Sequence, residues 1–132
     1  MVGLKRAWEE LLPKVKDYSV AAMGLTGQVN TYLLTGDDPA DVKGVVRWDS
    51  PGGREALRKV RTEKDDAYFF RHISMPHPDM VSYPLPRIRW IQDSMPKAYA
   101  SAKHLLQPKD YLYWRLTGSV VSDKFTWRGL SN

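Results

Sequence analysis

The sequence contains no cysteine among its 132 residues. This absence excludes a disulfide framework, a thiolate metal site and a cysteine nucleophile, and it is typical of proteins from a reducing compartment. No apolar run approaches the roughly 20 residues that a membrane-spanning helix needs, and the stretch 1–20 is too charged for a signal peptide. We therefore expect a cytoplasmic protein with no membrane association.

Sequence motifs of metalloenzymes, hydrolases and P-loop proteins are also missing. The histidines His72, His77 and His104 do not have the spacing of metal ligands, so we expect no metal site and expect these rings to pack in loops or at the surface. No G-x-S-x-G or Walker string occurs. Neither nucleophilic hydrolysis nor P-loop phosphate chemistry is therefore supported.

The net charge of +5 suggests a nucleic-acid partner, because clustered Lys and Arg displace counterions from a phosphate backbone. However, the cations of the stretch 54–64 are interleaved with acidic residues, which is more typical of a solvated helix face. The cations are Arg54, Arg58, Lys59, Arg61 and Lys64, and the acidic residues among and after them are Glu55, Glu63, Asp65 and Asp66. We expect no nucleic-acid partner, and a basic nucleic-acid-binding module is kept as a weaker alternative.

Length and apolar spacing together predict one α/β domain over residues 1–132, because a chain of this size buries enough surface for one core only. Helical spacing predicts a helix over 4–16, in which Pro13 costs one hydrogen bond or ends the helix early, and another helix over 54–61. The continuous apolar run SVAAMGLTG, residues 19–27, predicts a buried strand. Two more strands are predicted in NTYLLT and GVVRW, which flank the turn-forming string GDDPAD.

The second half of the sequence is punctuated by prolines. Four prolines in the stretch 74–86 predict a surface loop. The strings IRWIQDSM and PKAYASAKHLL predict two short helices, the second opened by Pro96. In QPKDYLYWRLTG, the sequence predicts a helix that Asp110 caps at its start and Gly118 ends.

The order of these motifs resembles the FGGY carbohydrate kinases, the group that contains xylulose and glycerol kinases. AAMGLTGQVN is followed by VVRWD, then by YPLPRIRWIQ, and finally by AKHLLQPKDYLYWRLTG and VSD, so the resemblance covers residues 8–130. It implies a ribonuclease-H-like, actin-like α/β domain with a mixed sheet and flanking helices. It also implies that a complete enzyme closes two domains on a cleft and transfers the γ-phosphoryl group of ATP, with Mg²⁺, to a sugar or polyol hydroxyl.

The resemblance implies a sugar-facing turn at Gln28, Val29 and Asn30, where the family carries Gln-Met-His after a glycine. The last two positions of that turn lie against the sugar in the family. The amide of Asn30 can both donate to and accept from a hydroxyl group. The alternative is that Asn30 only caps the turn or pairs with backbone.

Three further positions, Trp48, Asp49 and Tyr83, complete the substrate-binding residues that the resemblance implies. The family's Trp-Asn-Asp-x-Arg segment corresponds to Trp48, Asp49 and, after a short shift, Arg54. Tyr83 lies where the family often has an aromatic side chain near substrate. The alternatives are a core or cleft-wall role for Trp48, a loop hydrogen bond for Asp49 and simple packing for Tyr83.

The same resemblance assigns no catalytic residue to this chain. It implies that the helix from Pro108 to Gly118 is structural, with Asp110 as its cap rather than a general base. The family's Asp-x-Gly-Thr hairpin is expected before the first helix, and its general base and ATP-binding domain are expected beyond Asn132. We therefore expect a partial N-terminal domain that binds neither ATP nor Mg²⁺ tightly.

Two expectations about partners follow. A sheet that lacks its neighbours exposes an edge, so the chain should pair with the missing kinase domain or self-associate near residues 20–34. The alternative to a kinase is a non-catalytic product of a truncated or split gene that binds a sugar or a partner chain.

Overall fold

The structure is a computed structural model that describes residues 2–76, 78–127 and Leu130. Within these residues the elements in chain order are α1 (Val2–Leu11), a 3₁₀ turn (Leu12–Lys14), β1 (Tyr32–Thr35), β2 (Val42–Val46), α2 (Arg54–Glu63), α3 (Asp66–Ile73), α4 (Pro84–Ser94), α5 (Pro96–Ser101), β3 (His104–Leu106) and α6 (Pro108–Thr117). None of the described helices combines the length and the apolar character needed to span a membrane.

The three strands form one sheet in the order β2-β1-β3, with β1 in the centre. Both pairings are antiparallel, and Leu33 of β1 lies opposite Val45 of β2 and Leu106 of β3. The β1–β2 turn is closed by a hydrogen bond of 2.9 Å from the Gly36 amide to the Asp41 carbonyl. The strands predicted in NTYLLT and GVVRW are therefore confirmed.

The core lies between the central strand and α4. Tyr32 and Leu34 alternate along β1 and point to one face, where they meet Val46 of β2 and Ile91 of α4. Tyr32, Leu34 and Ile91 have no solvent exposure. This packing fixes the start of β1, and so fixes the turn that enters it.

The strand predicted over residues 19–27 is wrong. The segment has no regular structure, and Val20 and Met23 are 53% and 55% exposed. A continuous apolar run becomes a buried strand only where a neighbouring strand can take its backbone hydrogen bonds. Residues 19–27 pair with none of the three strands, so the run stays outside the sheet.

Two predictions for the second half are also corrected. Pro84 and Pro86 lie in α4 and not in the predicted loop, because the first-turn amides of a helix have no intrahelical acceptor and proline is tolerated there. The helix predicted over PKAYASAKHLL ends at Ser101. His104–Leu106 forms β3 instead, because these residues pair with β1, which lies much earlier in the sequence.

Candidate functional site

The turn that enters β1 holds Asn30 in the left-handed region, with φ of 60°. Asparagine tolerates this conformation better than most residues, which is a local reason for its presence. The backbone amide of Asn30 donates to Gln107 Oε1 over 2.9 Å. Within the described residues its side-chain nitrogen has no hydrogen-bond partner, and the neighbouring Val29 is 59% exposed. The turn therefore presents a polar amide and an apolar side chain at the surface.

Thr31 connects two of the predicted substrate-binding segments. Its buried hydroxyl donates to Gln28 Oε1 over 3.3 Å and accepts the Trp48 amide over 3.2 Å. The end of β2 is thereby held beside the start of β1. Gln28 and Trp48, separated by two strands in sequence, are linked through one side chain.

The turn Arg47–Ser50 carries Trp48 and Asp49. The Arg47 amide donates to Ser50 Oγ over 3.0 Å, and the Arg47 guanidinium lies 2.7 Å from Asp49 Oδ2. Asp49 thus pairs with a side chain within its own turn. Trp48 is 48% exposed, so part of its surface is accessible to a ligand.

Tyr32 connects the Asn30 turn to the residues before α4. Its hydroxyl lies 3.1 Å from the Ser82 carbonyl and 3.5 Å from Asn30 Oδ1, and burial raises its pKa well above the usual tyrosine value. Tyr83 follows Ser82 directly and occupies the N-cap position of α4, without a capping hydrogen bond from its side chain. Its side chain lines a small cleft under the proline-rich loop with Ile73 and Pro76.

Arg87 on α4 is a buried residue that the sequence analysis missed. Its guanidinium has no solvent exposure and donates to the carbonyls of Trp48 and Ser50, over 3.4 and 3.2 Å. It also lies 5.2 Å from the Trp90 ring centre, and burial lowers its pKa. The signal for it was helical spacing, which places Arg87 on the same buried side as Ile91.

The helix α6 is tied to the candidate site by Gln107. The Gln107 side chain accepts from Asn30 and donates to the Thr126 carbonyl over 2.8 Å. The prediction that Asp110 precedes and caps the helix is corrected: α6 begins at Pro108, Gln107 is its N-cap, and Asp110 in the first turn completes a reciprocal capping box with Gln107. Asp110 is 2% exposed, and it accepts the Ser122 hydroxyl over 2.8 Å.

Lys109 links the PKD and SD motifs. Its ammonium lies 2.7 Å from Asp110 Oδ1 and 2.6 Å from Asp123 Oδ2. The hydrogen bond from Lys109, followed by those from Thr126, holds the pKa of Asp123 well below its usual range. Burial lowers the pKa of Lys109, but its bonds to the two carboxylates outweigh this effect and raise the pKa overall.

These shifts predict how stability depends on pH. Because the pKa of Asp123 is lower in the folded protein, its contribution is present above about pH 4, its unfolded pKa, and is lost as pH falls toward the depressed folded value. Asp123→Asn should lower Tm at neutral pH and make the loss of Tm in acid shallower. Thermal melts from neutral to acidic pH test this, with Asp37→Asn in the exposed β1–β2 turn as control. Identical acid profiles for Asp123→Asn and the native chain would contradict it.

The described residues contain no group of three or more His, Cys, Asp or Glu side chains that could hold a metal ion. The ring centre of His72, exposed on α3, lies 4.3 Å from that of Tyr68, and the ring centre of His104, half-buried in β3, lies 5.0 Å from that of Trp114. His77 lies outside the described residues.

Comparison with known proteins relates most of the chain to one family. The model of a family described as "FGGY family of carbohydrate kinases, N-terminal domain" matches residues 3–126 of this chain. A xylulose kinase from Lactococcus lactis is 22% identical over 127 residues, covering 93% of this chain and 24% of that protein. A xylulose kinase from Escherichia coli is 25% identical over 105 residues, covering 79% and 21%. The chain thus spans about a quarter of the length of these relatives.

Solved structures show the same fold. Ligand-bound xylulose kinase from Lactobacillus acidophilus gives a TM-score of 0.74 at 17% identity, covering 94% of this chain and 26% of that one. Gluconate kinase from the same species gives 0.72 at 17% identity, covering 91% and 25%. A kinase structure from Brucella ovis, described as a xyloylose kinase, gives 0.74 at 21% identity, covering 96% and 25%. The predicted ribonuclease-H-like, actin-like α/β class is confirmed.

Proposed function

Because this chain belongs to the FGGY family of carbohydrate kinases, through their N-terminal domain, we propose that it binds the sugar or polyol that such a kinase phosphorylates. The observation that carries the proposal is the hydrogen-bonded junction of the Gln28–Asn30 and Arg47–Ser50 turns. Thr31 joins these turns, and Tyr32 holds Asn30 beside Ser82. Segments that are distant in sequence thereby form one surface.

This surface has the side chains that a sugar requires. The side-chain amide of Asn30 can donate to a hydroxyl oxygen, and the side-chain oxygens of Gln28 and Asp49 can accept from hydroxyl groups. The exposed ring of Trp48 offers an apolar face to the C–H groups of the ligand. Tyr83 belongs to the proposed site through its position next to Ser82, although its ring also packs under the proline-rich loop.

Arg87 acts in this proposal as a positioning residue. Its two bonds to main-chain carbonyls fix the turn that presents Trp48 and Asp49. The adjacent Gly52, with φ of 93°, allows the chain to pass close to Trp90, where an added Cβ would lie 2.7 Å from the indole nitrogen. The turn that carries Trp48 and Asp49 is therefore held in place by α4 on one side and can contact a ligand on the other.

In the complete enzyme, ATP would supply the phosphoryl group and Mg²⁺ would neutralise charge on its phosphates. The described residues do not fit a Mg²⁺ ion held by protein side chains, because they include no group of three or more His, Cys, Asp or Glu side chains that could hold a metal ion. We propose that ATP and Mg²⁺ bind to other parts of a longer kinase, which works in the cytoplasm.

The 132-residue chain alone should bind a sugar or polyol without phosphorylating it. We expect ATP to bind no more tightly than about 1 mM, equal to about −4 kcal/mol. Calorimetric titration with ketopentoses, polyols, sugar acids and ATP tests binding, and a coupled ADP assay on protein free of host kinases tests turnover. Saturable binding of one sugar class is the expected result. Turnover above background, or no sugar binding at millimolar concentration, would contradict the proposal.

A further inference from the structure

Gln107, the residue before α6, is a buried polar side chain with a long reach. It is 1% exposed, and its oxygen accepts from the backbone amide of Asn30, 77 residues earlier in the sequence, over 2.9 Å. The same side chain accepts from the backbone amide of Asp110 in the capping box, and its nitrogen donates to the Thr126 carbonyl over 2.8 Å. One side chain therefore joins the proposed sugar-binding turn, the first turn of α6 and the segment that follows α6.

Capping of α6 alone does not account for glutamine at this position. Residues that only cap a helix are usually Ser, Thr, Asp or Asn, whose short side chains reach the free amides of the first turn. A buried amide group is also costly unless its hydrogen bonds are satisfied. The longer side chain of Gln107 satisfies its own groups by bonding to Asn30 and Thr126 as well. Its length therefore indicates a role beyond the helix.

Gln107 is anchored through Thr126. The Thr126 amide and hydroxyl donate to Asp123 over 2.9 and 2.8 Å, and Asp123 pairs with Lys109 of α6 over 2.6 Å. The Thr126 carbonyl that accepts from Gln107 is thus held in place by α6. Hydrogen bonds of this kind lock the rotamer of a side chain, so the oxygen that Gln107 offers to Asn30 has a fixed position.

The turn that Gln107 contacts benefits from such support. Asn30 has φ of 60°, and the left-handed region is unfavourable for a residue with a Cβ. Gln107 holds its backbone amide, and its side-chain oxygen lies 3.5 Å from the Tyr32 hydroxyl. Gly27 passes so close to α6 that an added Cβ would lie 3.1 Å from the Lys109 backbone nitrogen. In the described part of the chain, these contacts leave the side-chain nitrogen of Asn30 for a ligand.

We propose that Gln107 is a positioning residue of the sugar-binding turn, which keeps Asn30 in the left-handed conformation that leaves its side-chain nitrogen available to a sugar hydroxyl. Gln107 itself does not contact the sugar, because its side chain is buried. The inference rests on the proposed function, since Gln107 acts through Asn30. It also predicts a property of the unliganded chain, namely a slowly exchanging Asn30 amide, that requires no sugar.

Gln107→Met tests this role on the 132-residue chain, because methionine is an unbranched side chain without the amide group. Hydrogen exchange followed by nuclear magnetic resonance should show the Asn30 amide exchanging at least roughly tenfold faster than in the native chain. Calorimetry with the sugar class that binds the native chain should show an affinity lower by roughly five- to thirtyfold. Gln107→Glu keeps the acceptor oxygen and loses the donor to Thr126, so both values should lie between those of the native chain and Gln107→Met.

A double-mutant cycle separates positioning from general destabilisation. If Gln107 acts through the Asn30 side chain, Gln107→Met should cost no further sugar affinity in a chain that already carries Asn30→Gly, so the two losses should not add. Ser122→Ala is the matched control, because it removes a donor to Asp110 and leaves both long-range bonds of Gln107 in place. It should change neither the exchange of the Asn30 amide nor the sugar affinity.

Unchanged exchange of the Asn30 amide in Gln107→Met, or losses of affinity that add in the double variant, would overturn the inference. If Gln107→Met did not fold, native exchange and native affinity in Gln107→Glu would overturn it, and intermediate values would support it. If the native chain bound no sugar while Gln107→Met still released the Asn30 amide to exchange, the proposed function would be wrong and the hold of Gln107 on the turn would stand.

Discussion

Asn30→Ala should weaken sugar binding by roughly 1 to 3 kcal/mol, a loss of about 5- to 150-fold, because one or two hydroxyl contacts disappear. The same loss should appear in kcat/KM of a full-length family kinase that carries this domain, because the contact persists in the transition state. Calorimetry on the isolated chain and initial-rate kinetics on the full-length enzyme give the two values.

The left-handed conformation of Asn30 requires a second variant. Alanine at φ of 60° also strains the backbone, at a cost of about 1 to 2 kcal/mol. Asn30→Gly removes the side chain without this strain and so serves as the control. It should lose sugar affinity as Asn30→Ala does while retaining more stability. Native affinity in Asn30→Gly would mean that the side chain does not contact the sugar.

Asp110→Ala should show the opposite pattern, with lower stability and nearly unchanged sugar affinity and kcat. Its carboxylate is buried and accepts from the Gln107 amide, Lys109 and Ser122. Removing it leaves the buried Gln107 amide without its acceptor, takes a partner from Lys109 and Ser122 and breaks the capping box, so we expect a loss of about 2 to 3 kcal/mol of unfolding free energy.

Asp110→Asn keeps one acceptor oxygen and should cost no more than about 1 kcal/mol. Denaturant unfolding gives both values, provided that the dependence on denaturant is the same for all variants. Ser122→Ala, which removes one donor to Asp110, should fall between the native chain and Asp110→Ala. If Asp110→Ala were stable but unable to bind sugar, and Asn30→Gly bound normally, the roles assigned to these residues would be reversed.

Local sequence signals predicted the elements whose causes are local. The turn between β1 and β2, the helical spacing of α2 and the glycine that ends α6 each act over a few residues, and each is present. By contrast, β3 depends on pairing with β1, about 70 residues away, so its short apolar string was taken for the end of a helix. The prediction of a strand over 19–27 failed for the opposite reason. The apolar character of this run is visible in the sequence, whereas its lack of a neighbouring strand is not.

The candidate site was predicted only where the family resemblance supplied the positions. Gln28, Asn30 and Trp48 were predicted in this way, and the structure connects them, while their contact with a sugar stays a prediction. Thr31 and Gln107 were missed because their roles arise from hydrogen bonds across the fold. Such bonds leave no periodic pattern in the sequence.

The most direct test of the sugar site is nuclear magnetic resonance of the isotope-labelled 132-residue chain during titration with the sugar class that binds. We expect saturable shifts of the backbone amides of Gln28 to Thr31 and of Trp48 and Asp49, together with the Asn30 side-chain amide. The amides of α1 and those around Lys109 should stay unchanged. Shifts confined to α1 or to the Lys109 cluster, with the Asn30 and Trp48 signals unmoved at saturation, would contradict it.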